Sequence, residues 1–517
     1  MIAIKDKAIR IINDIQLANS LGVLFSTKRN LFFYDSGTGK CIKLITDLEK
    51  EFFKCLFGTG VNDAKRAKIC ALIDSGKFNH ILDDIYNYHL WEGGNADKMY
   101  SILHYEQIKD SLENHVSQLI LELTERCNLR CKYCIYSENC KLNRNFGTRD
   151  LPEQIAIRSI DFLFSHSKEP LNITFYGGEP LLNFTLMKKC IEYSLERAKK
   201  ERRIVYFSFT TNLTLMSEEI AHYFAKIDGI SVLCSLDGPE EYHNAWRVYP
   251  NGKGSFNDAM KGFCNLREAF RKRNKGGISV NGVFAPPYTT EHIRAVSDFY
   301  NHLDLPETGN CEISYPTTGS VDDSEDIEAL IRENKNKGDK SGDVHPLLSW
   351  SKGKIYEEDN LPEDRMNKYY LMQMLRRIHT RPVIEKAINV IPFNGCCVPG
   401  ARRLYITVDG NFKVCERIGN SPSIGDIDGG YNLDAIKKYF IKEYAKESFP
   451  YCQKCWANLL CGICYASCYE TCGVNIKQKN LSCISERERN KEALSLYFTL
   501  LEENPGVIEK LNQVVEL

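Results

Sequence analysis

The run Cys127-Asn-Leu-Arg-Cys131-Lys-Tyr-Cys134 constrains this chain more than any other stretch. Its C-x3-C-x2-C spacing follows an apolar, strand-like segment, Leu119-Ile-Leu-Glu-Leu123. Three thiolates on so short a loop can converge on three irons of one 4Fe–4S cluster, and the fourth iron is then left without a protein ligand. An open iron suits a cluster that must bind a substrate or cofactor directly instead of only carrying electrons. The competing readings are a structural zinc knuckle and three buried thiols.

The rest of the cysteine usage bears on that choice. The chain has 517 residues and 21 cysteines. In a large chain without secretory features, metal binding is a better reading of so many thiols than a disulfide framework. The N-terminus, Met1-Ile-Ala-Ile-Lys-Asp-Lys7, lacks the basic-then-apolar order of a signal peptide, and no apolar run approaches a membrane span. Lys+Arg (67) and Asp+Glu (68) nearly cancel, so no field of one sign points to nucleic acid or an anionic membrane. A cytoplasmic protein that binds neither is expected. Beyond the first loop, cysteines concentrate between Cys396 and Cys483. Cys41, Cys55, Cys70, Cys140, Cys190, Cys234, Cys264, Cys311 and Cys472 read as small hydrophobes.

Along the chain, Gly22-Val-Leu-Phe25, Asn30-Leu-Phe-Phe-Tyr34 and Lys40-Cys-Ile-Lys-Leu44 read as strands, with Asp35-Ser-Gly-Thr-Gly39 as a turn. Helical spacing follows over 47–57, 62–74 and 78–86. This order suits a winged-helix-like module over residues 1–100, though no basic recognition helix supports DNA binding. Residues 115–315 alternate strand and helix patterns, with strands at 172–176, 204–210, 230–235, 278–284 and 311–315. That is the signature of a parallel sheet or partial barrel, whose chemistry sits at the C-terminal ends of the strands. Residues 316–390 read as a connecting segment, polar at first and helical around 364–390. Residues 391–490 are cysteine-rich with little room for a core of their own, as in segments organised by metal. The tail from Ser485 is charged and helical, with 491–517 read as a C-terminal helix that Pro505 interrupts.

With Tyr133 before its last cysteine, the first loop resembles that of the radical S-adenosylmethionine (radical SAM) superfamily. Gly177-Gly-Glu-Pro180 follows a strand and resembles the family's GGEP motif, which implies that Gly177, Gly178 and Glu179 hold the methionine amino group. Thr211-Asn212 is similar to the family's Thr-Asn pair. Ser235-Leu-Asp-Gly-Pro239 with Tyr242, His243, Arg247 and Gly254-Ser-Phe256 resembles the stretch of peptide- and sulfatase-modifying members. There the serine touches the ribose and the arginine lies near the carboxylate, so Asn212, Ser235, Asp237 and Arg247 join the cofactor site by resemblance. His243 on its own reads as structural.

The second cysteine group resembles the SPASM domain, an extension holding two auxiliary 4Fe–4S clusters. Cys397 precedes Gly410 and Cys415, then Cys452-x2-Cys455-x5-Cys461-x2-Cys464 and Cys483 follow. The usual third gap is three residues, not two, which leaves Cys468 as an alternative to Cys464. Two zinc ribbons are the competing reading. The resemblance gives Cys452, Cys455, Cys461 and Cys483 to one cluster and Cys397, Cys415 and Cys464 to the other. The family's upstream fourth ligand has no counterpart here: position 391 is Ile and only Cys396, adjacent to Cys397, is at hand. An open iron there could take a substrate thiolate.

The resemblance therefore implies a partial (β/α)6 radical SAM barrel with an N-terminal peptide-recognition domain and a C-terminal SPASM domain. It implies three 4Fe–4S clusters, S-adenosylmethionine, and an external electron donor of flavodoxin or ferredoxin type. Cys134-Ile-Tyr-Ser-Glu-Asn139 and Arg144 further resemble the subgroup acting on cysteine-rich peptides. The expected reaction joins a Cys sulfur to a carbon of a ribosomally made, leader-bearing precursor. The alternatives are sulfatase maturation to formylglycine, for which Glu416 beside Cys415 would be the base, and C–C crosslinking. A non-catalytic iron–sulfur scaffold is the reading from another class.

Overall fold

The structure is a computed structural model and describes residues 2–58, 63–138, 140, 143–168, 170–271, 277–306, 309–317, 320–321, 346–358, 363–393 and 395–512. Asn139 and most of the polar connector expected after residue 317 lie outside them.

The N-terminal module is built on a three-stranded antiparallel sheet of β1 (Gly22–Ser26), β2 (Leu31–Asp35) and β3 (Cys41–Leu44), in that order. Helices Asp47–Phe57, Asp63–Asp74 and Asn79–Asn87 follow as the periodicity predicts. Two helices, Ile2–Asn13 and Ile15–Leu21, precede the sheet and were not expected. Their signal is present: Ile4, Ala8, Ile11 and Ile12 share one helical face, and Asp14 caps the second helix by accepting from Gln16 and Leu17. Ile11, Ile12, Phe33, Phe52, Phe53, Phe78 and Trp91 form the module's core. Asp35 is fully buried and fastens the β2–β3 turn, accepting from Thr38 and from the Trp91 backbone N–H at 2.7 Å.

After a short strand β4 (Lys98–Met99) comes the central sheet. Its parallel strands are β5 (Gln118–Thr124), β6 (Leu171–Gly177), β7 (Val205–Thr211), β8 (Ile230–Ser235), β9 (Gly277–Val283) and β10 (Cys311–Ser314). They lie side by side in chain order, joined by crossover helices, which gives an open, partial barrel. On β6 and β7 the buried residues Ile173, Phe175, Phe207 and Phe209 share one core with the helices. The opposite, concave face is half-buried and polar. There Gln118 donates to Thr174 at 2.6 Å, and Thr174 bonds Ser208 at 2.7 Å. A polar interior leaves room for a polar substrate, where apolar side chains would have filled a closed barrel.

The cysteine-rich region does not stand apart from this core. After β11 (Val390–Ile391), which pairs with β4, strand β12 (Leu404–Ile406) adds to the far edge of β5 in parallel, Leu404 opposite Leu119. β13 (Asn411–Lys413), β14 (Gly425–Asp426) and β15 (Gly430–Tyr431) extend the sheet antiparallel. Leu404, Ile406, Phe412 and Ile424 thus belong to the barrel's core. The helix expected around 364–390 runs only over Arg365–His379; Pro382, unable to continue a helix, lies just beyond its end. The tail helix begins earlier than its charge pattern suggests, at Ile476, where the Asn475 side chain caps it, and runs to Glu503 before Pro505 opens a new turn. Its outer half packs Leu494, Leu496, Tyr497, Phe498 and Leu500 against Phe25 and Phe32 of the first sheet. Among the described residues no helix is long and apolar enough to cross a membrane.

Candidate active site

The strand ends place the predicted residues together. β5 runs into the cysteine loop, β6 into Gly178-Glu179, β7 into Asn212 and β8 into Asp237. The two glycines serve a close backbone approach, though to the cysteine loop itself. A Cβ on Gly178 would collide with the Arg126 carbonyl, and one on Gly177, at φ +133°, with that of Thr124. Gly178 N–H donates to Thr124 O at 2.9 Å and Glu179 N–H to Arg126 O at 2.8 Å.

Glu179 is buried, and its carboxylate braces two strand ends. One oxygen accepts from Leu181 N–H at 3.1 Å and Thr211 Oγ1 at 2.8 Å; the other accepts from Asn212 N–H at 2.7 Å. Burial still pushes its pKa up, against the three hydrogen bonds. Asn212 in turn donates to Asn128 within the cysteine loop at 2.9 Å, and Asn128 donates to Thr214 at 2.8 Å. Asn128 carries no spacing signature and the sequence analysis missed it. On its other side the loop is strapped to residues 246–248: Arg130 N–H donates to Val248 O at 2.7 Å and Lys132 N–H to Trp246 O at 3.0 Å.

Tyr133, Asp237 and Arg247 form one buried group. The Tyr133 hydroxyl donates to Asp237, which also accepts from Val283 N–H at 3.1 Å. Arg247 donates to the Tyr133 oxygen at 2.9 Å and stands 3.8 Å from the Asp237 carboxylate. Its Nε is buried without a hydrogen-bond partner among the described residues. A buried guanidinium with an unused donor beside Cys131, whose ionisation its charge favours, is suited to an anionic ligand such as a carboxylate. His243 is a core histidine. It accepts from Asp237 N–H at 3.5 Å, contacts Ser255 Oγ at 3.1 Å, and burial with the charge of Arg247 pushes its pKa down to about 3. Ser235 closes β8 at the rim of this group. Arg144 pairs with buried Glu122 and lies over the Tyr136 ring at 4.2 Å; Glu122 also accepts from Val408 N–H at 3.1 Å, so this pair joins the loop to the β12 turn.

Among the described residues no three His, Cys, Asp or Glu side chains converge as on a single metal ion. A four-iron cluster takes one thiolate per iron, so its ligands stand apart. The thiols fit that demand in two ways. First, the loop thiols lie within one another's fields, as do those of Cys452, Cys455, Cys461 and Cys483. Burial, then Glu179, then Cys131 and Cys134 raise Cys127, whose pKa is pushed up to about 12. Cys461 rises to about 12 through burial, with Cys452 and Cys455 adding, and Cys483 feels Cys455. Second, their sulfurs accept backbone N–H groups two residues on. Leu129 donates to Cys127, Tyr136 to Cys134 and Arg417 to Cys415, each at 3.4 Å, and Ala457 and Ile463 donate to Cys455 and Cys461. Such acceptance suits thiolates.

Cys397 feels Cys464, Arg403 and Arg402; Cys396 instead turns into the core toward Tyr444, and Cys468 is fully buried with its thiol toward the Cys464 carbonyl. Glu416 is nearly buried. Arg403 donates to one of its oxygens at 3.0 Å, and the other receives the Cys415 thiol at 3.3 Å. Tyr176 on β6 feels Glu416, Cys134 and Cys415 together, so it stands between the first loop and part of the second cysteine group. Tyr176 was not singled out in the sequence. Its place directly ahead of the Gly-Gly-Glu turn, on the concave face, was the available signal.

Residues 121–300 match the family model described as the Radical SAM superfamily. The cysteine-type anaerobic sulfatase-maturating enzyme of Clostridium novyi (strain NT) is 33% identical over 195 residues, which cover 37% of this chain and 49% of that one. The radical SAM cyclopropyl synthase TigE of Paramaledivibacter caminithermalis is 24% identical over 282 residues, covering 52% and 53%. The chain thus spans about half the length of these curated relatives. The solved structure described as native anSMEcpe with bound AdoMet and Kp18Cys peptide aligns with TM-score 0.52 and 19% identity, covering 77% of this chain and 99% of that one. The likeness extends to the fold.

Proposed function

We propose that this chain, which carries a radical SAM domain over residues 121–300, modifies a cysteine-rich peptide by joining a Cys sulfur to a carbon. The observation that supports this reading is the closeness of Cys134, Cys415 and Glu416 to one residue, Tyr176, with the Cys415 thiol 3.3 Å from Glu416. The domain's cofactors, a 4Fe–4S cluster with S-adenosylmethionine, supply when bound a reductively generated carbon radical that abstracts hydrogen. Cys127, Cys131 and Cys134 would ligate that cluster, and Arg247 and the Glu179 brace would orient the S-adenosylmethionine. Cys452, Cys455, Cys461 and Cys483, and Cys397, Cys415 and Cys464, would hold two further clusters. Forming the C–S bond removes one hydrogen atom from carbon, one proton from the thiol and one electron. The radical would take the hydrogen atom, Glu416 would take the proton, and an auxiliary site would take the electron. Reduction for the next turnover would come from a small flavodoxin- or ferredoxin-type donor.

Among the described residues no further strand pairs with the edge of β3, and a leader peptide would add there as a further strand. Because that sheet shares a core with the tail helix, removing residues 1–100 would strip apolar surface from the rest. Comparing full-length with leaderless peptide is the cleaner test, and the leaderless form is expected to bind at least about tenfold more weakly.

The function is tested by anaerobic incubation with a leader-bearing, Cys-rich peptide and tandem mass spectrometry. A product about two daltons lighter per bridge, whose cysteines resist alkylation after reduction, is expected. An aldehyde product would instead establish the sulfatase-type reading, which the placement of Glu416 beside Cys415 and the Clostridium relative favour. Unmodified peptide alongside S-adenosylmethionine cleavage would sink both.

A further inference from the structure

We propose that Lys479 and Arg487 form a cationic bracket that raises the reduction potential of a cluster held by Cys452, Cys455, Cys461 and Cys483, making it the electron-accepting one of the two C-terminal sites. The inference rests on reading this region as a cluster site.

The bracket follows from helical geometry. Lys479, Cys483 and Arg487 are spaced by four on the helix Ile476–Glu503, so they share one face with the thiol in the middle. The opposing loop is pressed onto that face. Gly462 N–H donates to Glu486 at 2.6 Å, and Arg377 pairs with Glu486 at 2.8 Å. A side chain at position 462 would meet the Arg377 guanidinium, which would have to move aside and give up its present contact with Glu486.

Lys479 is 1% exposed, and its ammonium donates to Cys452 Sγ at 3.5 Å. The charges acting on it are those of Cys452, Cys483, Cys461 and Cys468. The charge of Arg487 acts on both Cys455 and Cys483 and favours their ionised forms. A buried ammonium facing neutral thiols would be an uncompensated charge of high cost. Facing the thiolates of Cys452, Cys461 and Cys483 on an iron–sulfur core, it is paired. Reduction adds one negative charge to such a core, and a neighbouring cation stabilises the reduced form more than the oxidised one. At the other C-terminal group Glu416 at 3.0 Å offsets the charge of Arg403, and the second cation acting on Cys397, Arg402, is exposed and screened by solvent.

The test is a potentiometric titration followed by electron paramagnetic resonance. It uses reconstituted protein in which Cys127, Cys131 and Cys134 are alanine, so that only C-terminal signals remain. Lys479→Met is expected to shift one midpoint potential negative by about 59 mV or more, a tenfold change in the reduced-to-oxidised ratio for one electron. Arg487→Gln, at a half-exposed position, should shift the same signal in the same direction by less, and Arg487→Lys should restore it. Loss of that signal in Cys452→Ala protein would assign it to the bracketed group. Unchanged potentials, or a shift in the other cluster, would overturn the proposal. Iron and sulfide analysis precedes the titration, and zinc in these sites would overturn the cluster reading and the bracket with it. Should Lys479→Met not fold, Arg487→Gln decides the matter alone.

Discussion

Replacing Cys127, Cys131 and Cys134 together with alanine will reduce S-adenosylmethionine cleavage to background and remove about four irons per chain, leaving the remaining iron in place. The separation is expected because the loop is fastened to the barrel by groups other than its thiols. Asn128 bonds Asn212, Arg130 and Lys132 donate to the 246–248 strap, and Glu179 N–H binds Arg126 O. None of these bonds reaches the second cysteine group. The triple variant should therefore fold, with a circular dichroism spectrum like that of the parent. Iron content, absorbance near the charge-transfer bands and deoxyadenosine production are the measurements. Equal iron in variant and parent would show that the loop holds no cluster. Loss of all iron would show that the two groups assemble only together.

Glu179→Ala will cost about 3 kcal/mol or more of stability, among the largest single-site effects outside the apolar core. The substitution leaves three buried donors without an acceptor: Leu181 N–H, the Thr211 hydroxyl and Asn212 N–H. Each such orphan costs about 1–3 kcal/mol, and repacking keeps the sum from being additive. The loss also loosens Asn212, the clamp on Asn128, so binding of S-adenosylmethionine should weaken with it. Glu179→Gln should fall between, since its amide keeps one acceptor and turns the other into a donor that faces donors. Urea unfolding of the three proteins measures the cost. A loss below about 1 kcal/mol in Glu179→Ala would mean the carboxylate is not a brace.

The architecture of the barrel was legible because its signals are local. Six strands sit at the strand-like stretches read between helical patterns, and the cysteine spacings name two groups outright. The structure gathers Tyr133, Asp237 and Arg247 into one cluster, although they lie more than a hundred residues apart at the extremes. Other features depended on distant partners and left little local trace. β12 has three residues, too few to show a period, and its place is set by the open edge of β5. Asn128 reads as an ordinary loop residue until Asn212 is brought beside it. Lys479 looks like one more charge on a charged helix, and only the buried sulfur at 3.5 Å makes it unusual. The Gly-Gly-Glu turn was read as an approach to a ligand, whereas much of its geometry serves the backbone of the cysteine loop.

The helix Ile476–Glu503 has a consequence for how the molecule is made. At 28 residues it spans about 42 Å. One end carries Cys483, and the other completes the core beneath Phe25 and Phe32. During synthesis the first sheet leaves the ribosome long before the helix that covers it, so its aromatic face must wait uncovered through hundreds of residues. Only when the tail arrives can that face close. The segment that closes it is also the one that must find the cysteines at 452–461. If those cysteines hold the cluster proposed above, a cell short of iron would accumulate chains whose earliest-made sheet stays open to chaperones and proteases.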